Sequence, residues 1–146
     1  HAGQRLLGLR AVAERERART LGERSREATE AERRAAASAE RERAAARRAQ
    51  LAGTRPTPAG TMTNLGASLD RIAEERVVRV AEQAAADADL DLARQAYREA
   101  RADRHVLERL REIRQADWQT ADGREDQKIT DEIARRPRQG LEGSAS

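Results

Sequence analysis

The chain has 146 residues, of which 38% are charged and 1% aromatic, with a formal net charge of +3. Phe and Cys are absent, so large core side chains are scarce and no disulfide framework or thiol chemistry is available. Ala, Arg, Glu and Leu are strong helix formers, so this composition disfavours a globule built around an enzyme pocket and points to long helices or a coiled coil.

The first predicted element is a helix over residues 4–52. Its larger apolar residues are Leu6, Leu7, Leu9, Val12, Leu21 and Leu51. Between Leu21 and Leu51 its apolar face is expected to be alanine alone: Ala28, Ala31, Ala35, Ala39, Ala46 and Ala49. Gly22 weakens this helix by about 1 kcal/mol relative to Ala.

A breaker follows, running from Gly53 to Gly60. Pro56 and Pro58 cannot continue a helix, which predicts a turn over 53–61 with Thr61 or Thr63 as the next N-cap. The second helix is predicted over 62–136. It opens with Met62, Leu65, Leu69 and Ile72 at heptad spacing and continues through Val77, Val80, Leu90, Ala93, Tyr97, Ala100, Leu107, Leu110 and Ile113. Pro137 is expected to end it, leaving 137–146 as a disordered tail.

Charge favours pairing of the two helices. Residues 5–52 carry 13 Arg against 8 acids, five positive in excess; residues 62–136 carry 14 Lys and Arg against 17 acids, three negative in excess. The expected fold is all-α: an antiparallel two-helix coiled-coil hairpin whose second helix overhangs the first. Folding near Thr57 places residue i opposite roughly residue 114 − i. Leu51 then faces Leu65 and Met62, Ala35 and Ala39 face Val77 and Val78, Leu21 faces Leu90 and Leu92, and Leu7 faces Leu107. The overhang, from Arg111 to Arg136, is roughly 38 Å long and leaves Ile113, Trp118, Ile129 and Ile133 uncovered.

No catalytic constellation emerges. Asp87, Asp89 and Asp91 begin like a calcium loop, but Leu92 stands where that loop needs Gly and Arg98 where it needs Glu. His105 has no second ligand at metal-binding spacing. The arginines between Glu32 and Arg48 alternate with glutamates and lack stacking aromatics, which favours a solvated helix face over nucleic-acid binding. No stretch approaches the roughly 18 apolar residues of a membrane span, and no secretory leader is visible. A non-enzymatic, cofactor-free cytoplasmic protein with no nucleic-acid partner is expected. Trp118, uncovered on a helix, reads as an interface anchor.

The most specific motif is Asp126-Gln-Lys-Ile-Thr-Asp-Glu-Ile-Ala134. It resembles the ending of the flagellar export protein FliJ family, and Arg5-Leu-Leu-Gly-Leu-Arg-Ala-Val-Ala-Glu14 resembles that family's opening. The mid-chain turn and overhanging second helix fit the family too. The resemblance implies a stalk-like component of the flagellar type III export apparatus. Such a component inserts its paired helix termini into the ring of the export ATPase, couples the ring to the export gate, and handles export chaperones at the cytoplasmic face of the inner membrane. Under that reading Arg10, Glu14, Trp118, Arg124, Asp126, Gln127, Lys128, Asp131 and Glu132 are the expected ATPase contacts. The alternative is a structural coiled-coil scaffold or a stator-like subunit of a rotary ATPase.

Overall fold

A computed structural model describes the backbone of residues 2–145 and the side chains of residues 2–135. Two helices make up the fold, α1 over Ala2–Gly53 and α2 over Ala59–Ala145, packed against each other as an all-α hairpin.

The turn is tighter than expected, spanning 54–58 rather than 53–61. Its threonines close the end of α1, whose last carbonyls have no partner within the helix. Thr54 donates from both its backbone N–H (3.2 Å) and its hydroxyl (2.7 Å) to the Leu51 carbonyl. The Thr57 hydroxyl lies 3.1 Å from the carbonyls of both Ala52 and Arg55. α2 starts earlier than expected because the Pro58 carbonyl accepts the first helical bond, from Met62 N–H at 3.1 Å. Neither Thr61 nor Thr63 is the cap: Thr63 lies inside the helix and bonds back to the Ala59 carbonyl at 3.0 Å. At the other end α2 runs past Pro137, where a stop was expected, and the backbone of 137–145 is helical. A proline inside a helix loses its own N–H rung and crowds the carbonyl four residues back, which can be absorbed as a kink without ending the helix.

The chain divides into two compact units, Val12–Arg101 and a second formed by Ala2–Ala11 with residues from Ala102 onward. In the first unit the seam of α1 is built from Ala28, Ala31, Ala35, Ser38 and Ala45, all buried. Their spacing is a strict heptad, with half-buried Glu42 at the intervening position. The expected alanine face is correct as far as Ala35 and then departs from it. Ala46 is exposed and Ala39 only half-buried, because the repeat from Ala28 lands on residues 38 and 45, one position earlier in each case, while Ala49 lies on the repeat and is half-buried.

α2 answers with Leu65, Ile72, Glu75, Arg79, Ala86, Leu90, Ala93, Tyr97 and Ala100, of which Leu90 and Ala93 are buried and the rest half-buried. The valines expected opposite Ala35 and Ala39 instead face outward: Val77 is 69% exposed, and Val78 and Val80 about half. The cause is helical phase. Ile72 on one side and Leu90 on the other fix the rotation of a continuous helix, and the positions it then presents are Glu75 and Arg79. Leu51 and Met62 are likewise exposed, and Leu92 points away from the seam while Leu90 enters it.

The expected register holds within about one turn. The fold-back rule sets Arg41 opposite residue 73, and Arg41 Nη2 bonds Glu75 Oε1 at 2.8 Å. Glu42 pairs with Arg76 at 3.5 Å rather than with residue 72. Arg24, matched to residue 90 by the rule, feels the carboxylate of Asp89 among the charges that raise its pKa, after the hydrogen bond and charge of Glu27.

Candidate functional site

The second unit contains most of the residues singled out from the sequence. Near the start of α1, Leu7 is half-buried, as is Leu107 of α2, the two residues that the fold-back rule sets opposite each other. Arg10 Nη1 lies 3.7 Å from Asp103 Oδ2, so this arginine already has a partner across the helix pair, one that the sequence reading did not name. With both side chains about half exposed, this ion pair contributes little to stability.

Past Glu108, every described residue of α2 up to Arg135 is exposed. This uncovered segment is roughly 40 Å of helix. Along it Leu107, Trp118 and Ile129 recur every eleven residues. Eleven residues are three turns plus roughly 20°, so these side chains follow one line down the helix. The line begins at half-buried Leu107 and continues through Trp118, 69% exposed, to Ile129, 50% exposed. The sequence reading found Trp118 and Ile129 singly but not the line that joins them.

The polar candidates crowd into the last described turns of the same segment. Arg124, Asp126, Gln127, Lys128, Asp131 and Glu132 are all exposed. Gln127 Nε2 donates to Asp131 Oδ1 at 3.1 Å, and Thr130 Oγ1 donates to the Asp126 carbonyl at 2.9 Å. Arg124, Lys128 and Asp131 share a face at +4 and +3 spacing, while Asp126 stands with Ile129 and Ile133 on another. Arg10 does not join this group. It sits at Asp103, and Arg124 lies 21 residues further along α2, roughly 30 Å of helix. Glu14, in the other unit, is half-buried and engaged in an interaction of its own.

The remaining motifs behave as helix surface. Asp91 bonds Arg94 at 3.1 Å. His105 Nδ1 lies 3.5 Å from Glu108 Oε2. Among the described residues no group of three or more potential ligands is placed to hold a metal ion, and no helix is long and apolar enough to cross a membrane. In the arginine-rich stretch the interleaved acids take up the cations. Glu30 pairs with Arg33 and Arg34, and Glu40 accepts from Arg43 and Arg47. Those two arginines hold the Glu40 carboxyl below its ordinary range, chiefly through their hydrogen bonds.

What the arrangement offers is a bare helix with an apolar line and a charged end, suited to being received by another protein. No curated protein and no solved structure matches the chain. The family described as flagellar FliJ protein matches residues 4–139, nearly the whole length, and the chain therefore belongs to the FliJ family, components of the flagellar export apparatus.

Proposed function

We propose that this chain acts as the stalk-like subunit of the flagellar export ATPase, with the uncovered segment of α2 received inside the ATPase ring. The observation that carries this reading is the unbroken exposure of 109–135 in a family member, with Trp118 and Ile129 in line with the seam residue Leu107. Burial of an aromatic anchor supplies affinity, and the charges of Arg124, Asp126, Lys128, Asp131 and Glu132 supply orientation. Coupling to the export gate and handling of export chaperones follow from the family resemblance, as does a peripheral position at the inner membrane. The chain performs no catalysis in this scheme and needs no cofactor.

The test is ATP hydrolysis by the cognate export ATPase with and without the chain, together with co-elution. Stimulation with co-elution supports the proposal. A K128E/D131K variant is expected to bind more weakly with helicity intact, and unchanged binding would remove those two residues from the contact.

A second reading, a self-associating scaffold, draws on the same exposed Leu110, Ile113 and Trp118, which a second copy would cover. Mass measured across a concentration series separates the two. Concentration-independent monomers favour the stalk, and stable dimers favour the scaffold.

A further inference from the structure

Polar side chains occupy the middle of the seam while valines sit outside it. Ser38 is 1% exposed, and its hydroxyl has no hydrogen-bond partner. Glu42 Oε2 is buried without a hydrogen bond and is held only by the ion pair to Arg76 Nε at 3.5 Å. Beside it, Glu75 accepts from Arg41 and lies 3.8 Å from Arg79 Nε. Such a layer is poor packing, and Val77 and Val80 stand one helical position or so away from filling it.

We propose that the Glu42–Arg76 pair is a register lock, the contact that decides how α1 aligns against α2. Alanine knobs are interchangeable. If α1 slides by one heptad in one direction, positions 28, 31, 35, 38, 42 and 45 are taken by Ala35, Ser38, Glu42, Ala45, Ala49 and Ala52. A slide the other way brings Leu21, Arg24, Ala28, Ala31, Ala35 and Ser38 to positions 28, 31, 35, 38, 42 and 45. Either way small residues take at least three of the four positions 35, 38, 42 and 45, so apolar packing in the middle of the seam discriminates poorly.

The turn does not forbid such a slide. Five residues reach about 17 Å at roughly 3.4 Å each. The helices of a packed pair are separated by about 8–10 Å, and one heptad of axial displacement is about 10 Å. The Arg41–Glu75 pair does not forbid it either. Seven residues away from Arg41 on each side are Arg34 and Arg48, so Glu75 finds an arginine in all three alignments. Glu42 differs. Its heptad neighbours are Ala35 and Ala49, which would leave Arg76 without an acid, and Glu42 itself would face Leu69 or Gln83. A polar residue at a seam position commonly fixes register at some loss of stability, and this chain has one where its alanine seam needs it.

The chain has no cysteine, so spin labels can be placed at T29C and D70C, both exposed and well separated along the helix pair. The otherwise unaltered chain is expected to give a single inter-label distance. E42A is expected to add a second population displaced by up to about 10 Å, one heptad. The reversed pair E42R/R76E should restore the single distance, which a merely weakened helix would not do. If E42A loses helicity, R76Q, which alters the half-exposed partner, takes its place with the same expected second population. A single unshifted distance in the folded variants would overturn the proposal and assign the register to the turn.

Discussion

Gly22 interrupts α1 with no visible structural return. Among the described residues no glycine has a positive φ, so the backbone of Gly22 is one that alanine adopts without strain. A Cβ built on Gly22 would meet only the Arg26 guanidinium, at 3.6 Å, an ordinary contact with the flexible end of a side chain. With neither clash nor special conformation, the helix-propensity difference should appear in full, about 1 kcal/mol in favour of Gly22→Ala. Gly66 in α2 is more open still, with nothing within 4 Å of the added carbon. The two positions share no neighbour, so the double variant should gain about 2 kcal/mol by additivity. For a chain of this size each substitution should raise Tm by roughly 4 °C. Urea unfolding followed by helical circular dichroism is the assay, and the midpoint should rise at constant slope. A midpoint for G22A at or below the parent value would refute the reasoning, because the glycine would then serve a close approach that the structure does not contain.

Further tests follow from burial and charge. L90A should cost about 2 kcal/mol, the low end for a buried leucine in so thin a seam, whereas V77S should change stability by less than about 0.5 kcal/mol; equal effects would mean that the valines pack inside. W118A should leave the unfolding midpoint unchanged while weakening co-elution with the export ATPase, and a loss of stability would show that the indole packs within this chain. Glu40 should titrate below its ordinary value. A carboxylate depressed in the folded state adds stability above its unfolded pKa and loses it as pH falls through the folded one. Paired R43Q and R47Q substitutions should move that titration upward, measured by NMR of the side-chain carboxyl; an unmoved titration would remove those arginines as the cause.

The hairpin was legible because Pro56 and Pro58 punctuate an otherwise helical chain, and because charge and heptad spacing agree on which segments pair. The rotation of each helix was less legible. Val77 and Val80 are the most β-branched part of α2 and look like core by hydrophobicity, but a continuous helix keeps the phase set by Ile72 and Leu90, and that phase excludes them. The same blindness hid Ser38 and Glu42, which are polar by type and inside by position. In the candidate site, the charged run from Arg124 to Glu132 was readable as a motif. Its separation from Arg10 was not, because that depends on where α1 begins along α2, which the Arg10–Asp103 contact reveals. The line from Leu107 through Trp118 to Ile129 repeats every eleven residues, a period that a heptad reading passes over.

Trp118 is the only tryptophan in the chain, and it stands two-thirds exposed on the uncovered part of α2. Its fluorescence is therefore a poor witness to unfolding, since the indole meets water in the folded chain as well as in the denatured one. It is a selective witness to what happens around its own segment: a partner closing over that helix would move the emission to shorter wavelength while the rest of the chain stayed silent. One optical signal can thus be assigned to a single stretch of helix without any label.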